Sequence, residues 1–100
     1  MNHFQGKTLS WNVVDGAVEM MLDRAPCNEI GSATLEDFEQ FAAALDSLES
    51  SAHALIISSA RKEGFCAGAD LRELYRESQK LPPAERMSGL RDFLERIHRV

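Results

Sequence analysis

The sequence has little of what most specialised protein classes need. Its longest uninterrupted apolar runs are a few residues, far short of a membrane span. No block of lysine or arginine stands out and the net charge is -5, which argues against a nucleic-acid or anionic-membrane surface. The two cysteines, Cys27 and Cys66, lie too far apart for a paired-ligand metal motif, and nothing suggests a disulfide framework. The first residues, Met1 to Lys7, lack the apolar core of a secretory signal. Internal repeats and low-complexity tracts are absent too. These absences describe a soluble, reduced, cytoplasmic chain with no metal, no nucleic-acid partner and no membrane partner. A hydrophobic content of 44% over 100 residues suffices for the core of one small domain.

Several familiar catalytic signatures are also missing. Gly6-Lys7-Thr8 resembles the tail of a phosphate-binding loop, but position 1 is Met where that motif needs glycine, and a strand rather than a helix follows. No Gly-x-Ser-x-Gly elbow exists, and His3, His53 and His98 have no nucleophile placed beside them by any local motif. Glu36, Asp37, Glu39, Glu73, Glu77 and Glu95 fall where solvated helix faces are expected, and no pair is marked out for acid–base work. Cys27 and Cys66 read as small packing thiols.

What is present is an ordered succession of elements. Thr8 to Asp15 alternates loosely between apolar and polar residues, Asp15-Gly16 is a hairpin dipeptide, and Ala17 to Asp23 reads as the partner strand. Arg24-Ala25-Pro26-Cys27-Asn28 breaks the pattern, because Pro26 cannot donate to a ladder. A helix follows with Leu35, Phe38, Phe41, Ala42, Leu45 and Leu48 on one face, and Ser32 or Thr34 as its cap. His53 to Ser59 carries apolar residues at consecutive positions, which predicts a strand buried on both faces. Strand, helix and strand then make a crossover unit, right-handed by the usual rule. Leu71 to Gln79 has helical spacing. Leu81-Pro82-Pro83 interrupts it, and Pro83 suits the first turn of a last helix bearing Met87, Leu90, Leu94 and Ile97. That helix reaches Val100 without a stop signal, and three strong strands must serve three helices. The expectation is a fragment, or one half of a larger domain.

Between the last strand and the next helix lies Gly64-Phe65-Cys66-Ala67-Gly68-Ala69-Asp70-Leu71. Small residues let a backbone approach a ligand with unobstructed N–H groups, and a helix start adds a positive end. The same residues also suit a tight strand-to-helix turn that binds nothing. The Arg24 to Asn28 loop likewise follows a strand. If the two strands are neighbours, both loops leave the same carboxyl edge, where open α/β sheets hold their ligands.

Leu22-Asp23-Arg24-Ala25-Pro26-Cys27-Asn28, a helix, Ala54 to Ser59, and then Gly64 to Leu71 resemble, in order and spacing, the amino-terminal part of the crotonase superfamily, the enoyl-CoA hydratase/isomerase family. The resemblance runs from about Leu9 to the end of the chain, and Phe-Cys-Ala-Gly-Ala-Asp-Leu is its specific part. It implies an α/β fold of repeated ββα units, here the amino-terminal part of the core, assembled as homo-trimers or hexamers. It implies an acyl-CoA substrate, coenzyme A being part of that substrate and no cofactor being held permanently. The chemistry implied is that of a lyase or isomerase of fatty acid metabolism, passing through an enolate. The Ala69 backbone N–H would be the first oxyanion donor. Ala67, Gly68, Asp70 and Leu71 would line the pantetheine and acyl channel, and Arg24, Ala25 and Cys27 would lie near the adenine and phosphates. The family's second donor and its acid–base glutamates belong to later segments. Glu29 and Gly31 depart from the usual small and polar residues after Asn28. The alternative is a catalytically silent CoA-binding or assembly module, which the sequence after Val100 would distinguish. The acyl chain and the choice between hydration and isomerisation are not written in these residues.

Overall fold

The computed structural model describes residues 3–100. Four strands form one sheet in the order β1 (His3–Gln5), β2 (Leu9–Val14), β3 (Ala17–Leu22) and β4 (Ala54–Ser59). The first three pair antiparallel, and β4 lies parallel to β3 with Val18 opposite Leu55 and Met20 opposite Ile57. Helix α1 (Ser32–Leu48) is the crossover between β3 and β4. Helices α2 (Leu71–Gln79) and α3 (Arg86–Arg99) follow, joined by a 3₁₀ turn at Pro83–Glu85.

The hairpin forms where expected. Asp15 and Gly16 have φ of 50° and 81°, as a two-residue turn with both central residues left-handed requires. Alternation along β2 and β3 sends Leu9, Trp11, Val18, Met20 and Leu22 to one face, where Phe41 and Leu48 of α1 meet them. Trp11 is the centre of this core, stacked on Phe4 at 6.1 Å and edge-on to Phe41 at 5.6 Å. Strand β1 had no strong alternation to announce it. It exists because Phe4 covers Trp11 and pairs with it in register.

Three expectations need correction. First, β4 is not buried on both faces: Leu55, Ile56 and Ile57 are 46%, 53% and 40% exposed. It is the edge strand, and no residue of it joins the core beneath α1. Second, the inner stripe of α1 is Leu35, Phe41 and Leu48 with Phe38 and Ala44, whereas Ala42 and Leu45 face outward. Third, Asp37 is not on a solvated face. It is buried and accepts hydrogen bonds from both the Thr8 N–H and the Thr8 hydroxyl, each at 2.8 Å. The carboxylate lies against Gly6, where an added Cβ would come within 2.6 Å of it. Both bonds fall on Oδ2, so the buried carboxyl group is not left without partners.

Candidate functional site

The parallel pairing of β3 with β4 puts the two irregular loops at one sheet edge, as the sequence order requires. They are in direct contact. Residues 27–30 of the first loop and 65–70 of the second run side by side. The Ala67 N–H donates to Cys27 O at 3.0 Å, the Ile30 N–H to Gly68 O at 2.8 Å and the Asp70 N–H to Ile30 O at 2.9 Å. Ile30 and Ala69 thus form a parallel bridge.

This short ladder determines what Ala69 can do. In a parallel ladder the residue opposite a doubly bonded partner turns its own N–H and C=O to the other side. Gly68 O and Asp70 N–H point at the first loop, so Ala69 N–H points away from it. Among the described residues no acceptor lies on that N–H. Gly68 has φ +90°, a conformation that disfavours any residue with a Cβ, although a Cβ there would meet nothing within 4 Å. Its glycine serves the backbone turn, not close packing.

Asp70 and Leu71 carry the chain from Ala69 into α2. The Asp70 carboxylate caps the helix by accepting from the Glu73 N–H at 3.0 Å. That bond, then the Arg24 guanidinium 2.7 Å away, holds the Asp70 carboxyl below the usual carboxylate range against the opposing effect of burial. Glu73, expected on a solvated face, is instead drawn inward. Its carboxylate accepts from the Ser32 N–H at 2.9 Å and lies 3.6 Å from Arg24, directly over Gly31. An added Cβ at Gly31 would collide with the Glu73 carboxylate and push it aside. Arg24 also donates to Glu29 O. Its side chain is 27% exposed, and its charge is already matched by Asp70 and Glu73.

The other candidate residues lie around this cluster. Ala25 is exposed beside Pro26, and the Ala25–Pro26 peptide is cis. Cys27 and Cys66 are free, half-buried thiols. The Cys27 N–H donates to Glu29, while the Cys66 S–H donates to Asn28 O at 3.3 Å. Ala67 and Gly68 are exposed and Leu71 is 73% exposed. Asp70 and Leu71 open onto a groove of about 580 Å³ between α2 and α3, floored by Gly31 and Ser32 and walled by Leu74, Tyr75, Leu81, Met87, Leu90 and Phe93. Among the described residues no group of His, Cys, Asp and Glu is arranged to hold a metal ion. No helix is long and apolar enough to cross a membrane. Asn28 was singled out only as part of a loop pattern, and its side chain proves central, a role no local sequence signal announces.

No protein-family model and no curated protein matches the sequence. Solved structures are similar. An enoyl-CoA hydratase structure from Geobacillus kaustophilus HTA426 superposes with a TM-score of 0.62 at 24% identity, over 86% of this chain and 31% of that one. A Streptomyces coelicolor A3(2) protein described as an enoyl-CoA hydratase gives 0.64 at 22%, over 84% and 30%. The chain therefore spans about a third of the length of these structures. Over that span it shares the fold of these two structures.

Proposed function

We propose that this chain supplies the thioester-gripping half of an acyl-CoA enzyme of the enoyl-CoA hydratase/isomerase type. The observation that carries the reading is the Ala69 N–H, left without an acceptor by the ladder that fixes its neighbours and one residue ahead of Asp70 and Leu71, which line the groove between α2 and α3. In a fold shared with enoyl-CoA hydratases, such a donor suits a thioester carbonyl whose oxygen gains charge as the enolate forms. A donor fixed beforehand stabilises that charge without reorganising, so it favours the transition state over the ground state. The start of α2 directly behind it adds a favourable dipole.

Ala67, Gly68, Asp70 and Leu71 then border the pantetheine and acyl path, and Leu74, Tyr75 and Leu90 offer apolar surface to the acyl chain. Arg24, Ala25 and Cys27 form the wall on the nucleotide side. With its charge committed to Asp70 and Glu73, Arg24 shapes that wall instead of offering a free cation to phosphate. A second oxyanion donor and the acid–base carboxylates come from polypeptide other than these residues, and a homo-trimer or hexamer is the assembly the resemblance implies. Coenzyme A enters as part of the substrate.

The test is a binding and turnover panel of enoyl-CoA thioesters on the native protein, sized by mass spectrometry, with Gly68→Val beside it. A β-branched residue at φ +90° must change the backbone and displace the Ala69 N–H. Loss of one such donor lowers kcat by about 10²- to 10³-fold. Undiminished turnover in Gly68→Val would refute the assignment, and binding without turnover in the wild type would identify a silent CoA-binding module.

A further inference from the structure

Asn28 is 4% exposed and has φ +56°, in the left-handed region that residues other than glycine seldom occupy. Nothing in the chemistry proposed above uses its side chain, yet its amide reaches three separate segments. Oδ1 accepts from the Arg24 N–H at 2.8 Å, where the chain leaves β3. Nδ2 donates to the Ser59 hydroxyl at 2.8 Å, at the end of β4, and to the Phe65 carbonyl at 2.8 Å, inside the second loop. Ser59 extends the link by donating to Gly64 O at 2.8 Å. One acceptor and two donors are required, and a primary amide supplies both.

The backbone of Asn28 acts in the same direction. Its carbonyl accepts the Cys66 S–H, and on either side of it Cys27 O and Ile30 meet Ala67, Gly68 and Asp70. A residue bonded to the exit of β3, the end of β4 and the start of the second loop fixes where that loop begins its run along the first. The register of the ladder follows from that starting point, and the direction of the Ala69 N–H follows from the register.

We propose that Asn28 is a positioning residue that sets this register and so aims the Ala69 N–H. Its catalytic consequence rests on the reading of Ala69 as a thioester donor, while its structural content stands apart from that reading.

Two readouts on the native protein test it. The first is amide hydrogen exchange of Ile30, Ala67 and Asp70, with Trp11 and Met20 in the sheet as internal references. Asn28→Gly keeps the left-handed backbone and removes all three side-chain bonds. Asn28→Asp keeps the acceptor and removes both donors. In both variants the ladder amides exchange at least about tenfold faster relative to the references, and Ser59→Ala, a milder cut, gives about threefold. Asp15→Gly, at the other left-handed non-glycine position, leaves the ladder unchanged. The second readout is the kinetics of enoyl-CoA hydration well below the melting temperature. There kcat falls by about tenfold or more with a smaller change in KM, because misplacing a donor weakens the transition state more than the ground state. Ladder amides that exchange at the wild-type rate in folded Asn28→Gly, or in Ser59→Ala should the position 28 variants fail to fold, overturn the proposal. A wild type that neither binds nor turns over thioesters defeats the functional reading instead, and the exchange result still decides the role of Asn28.

Discussion

The two halves of this molecule are held together by different physics. Strands β1 to β3 with α1 enclose a core in which Leu9, Met20 and Leu35 are at most 1% exposed. In β4, α2 and α3 no residue is buried. The first half is stabilised mainly by removing apolar surface from water. The second is tied down at its root by polar bonds: the ladder between the loops, the Asn28 amide, and the Arg24–Asp70–Glu73 cluster that joins the starts of α1 and α2. The candidate site lies on the boundary between them. One wall of that boundary is rigid because it packs, and the other is positioned by directional bonds, which suits a site that must present a single N–H at a fixed angle.

Matched truncations in the two halves give the largest expected contrast. Met20→Ala removes side-chain volume from the core and should cost about 2–5 kcal/mol in urea unfolding. Ile57→Ala, one register step across the sheet at 40% exposure, should cost about 1 kcal/mol or less. Equal costs would break the comparison and show that β4 is covered in the native protein. Asp37→Ala should come next, at about 2–3 kcal/mol, because it leaves the buried Thr8 N–H and hydroxyl without their acceptor.

Asp70→Ala should cost less, about 1 kcal/mol for the lost helix cap, and its cost should depend on pH. The folded-state pKa of Asp70 is depressed, so its contribution is fully present above the ordinary value of about 3.9 and is lost as pH falls below that value through the folded one. Unfolding measured at pH 7 and again near pH 3 should show the gap between wild type and variant closing in acid. A gap that widens in acid would contradict the cap geometry. The smallest effect belongs to Arg96→Ala, which breaks the exposed pair of Arg96 with Glu39, 2.7 Å apart, that ties α3 to α1. That pair holds the Glu39 carboxyl below its usual range. Salt should erase what little melting-temperature shift the variant shows.

The order of elements and the site loops were legible in the sequence because each had a local cause. Asp15-Gly16 marks the hairpin, Pro26 interrupts the strand pattern, and glycine and alanine cluster between β4 and α2. What was not legible depended on distant partners. Phe4 becomes part of a strand only by covering Trp11. Asp37 and Glu73 look like solvated helix residues until Thr8 and Ser32 are brought to them. Leu55, Ile56 and Ile57 are apolar enough for burial on both faces, but burial needs an element packed over each face of the sheet, and β4 contributes no residue to the core beneath α1. The Asn28 side chain likewise takes its meaning from Ser59 and Phe65, more than thirty residues away in sequence.

The central claim is that the Ala69 N–H grips a thioester oxygen, and the amide resonance of Ala69 reports on it directly. In the native protein, titration with butyryl-CoA should shift that resonance downfield as the N–H gains an acceptor, while a thioether analogue lacking the carbonyl oxygen should bind without producing the shift. An Ala69 resonance that responds identically to both ligands, or to neither while both bind, would contradict the account.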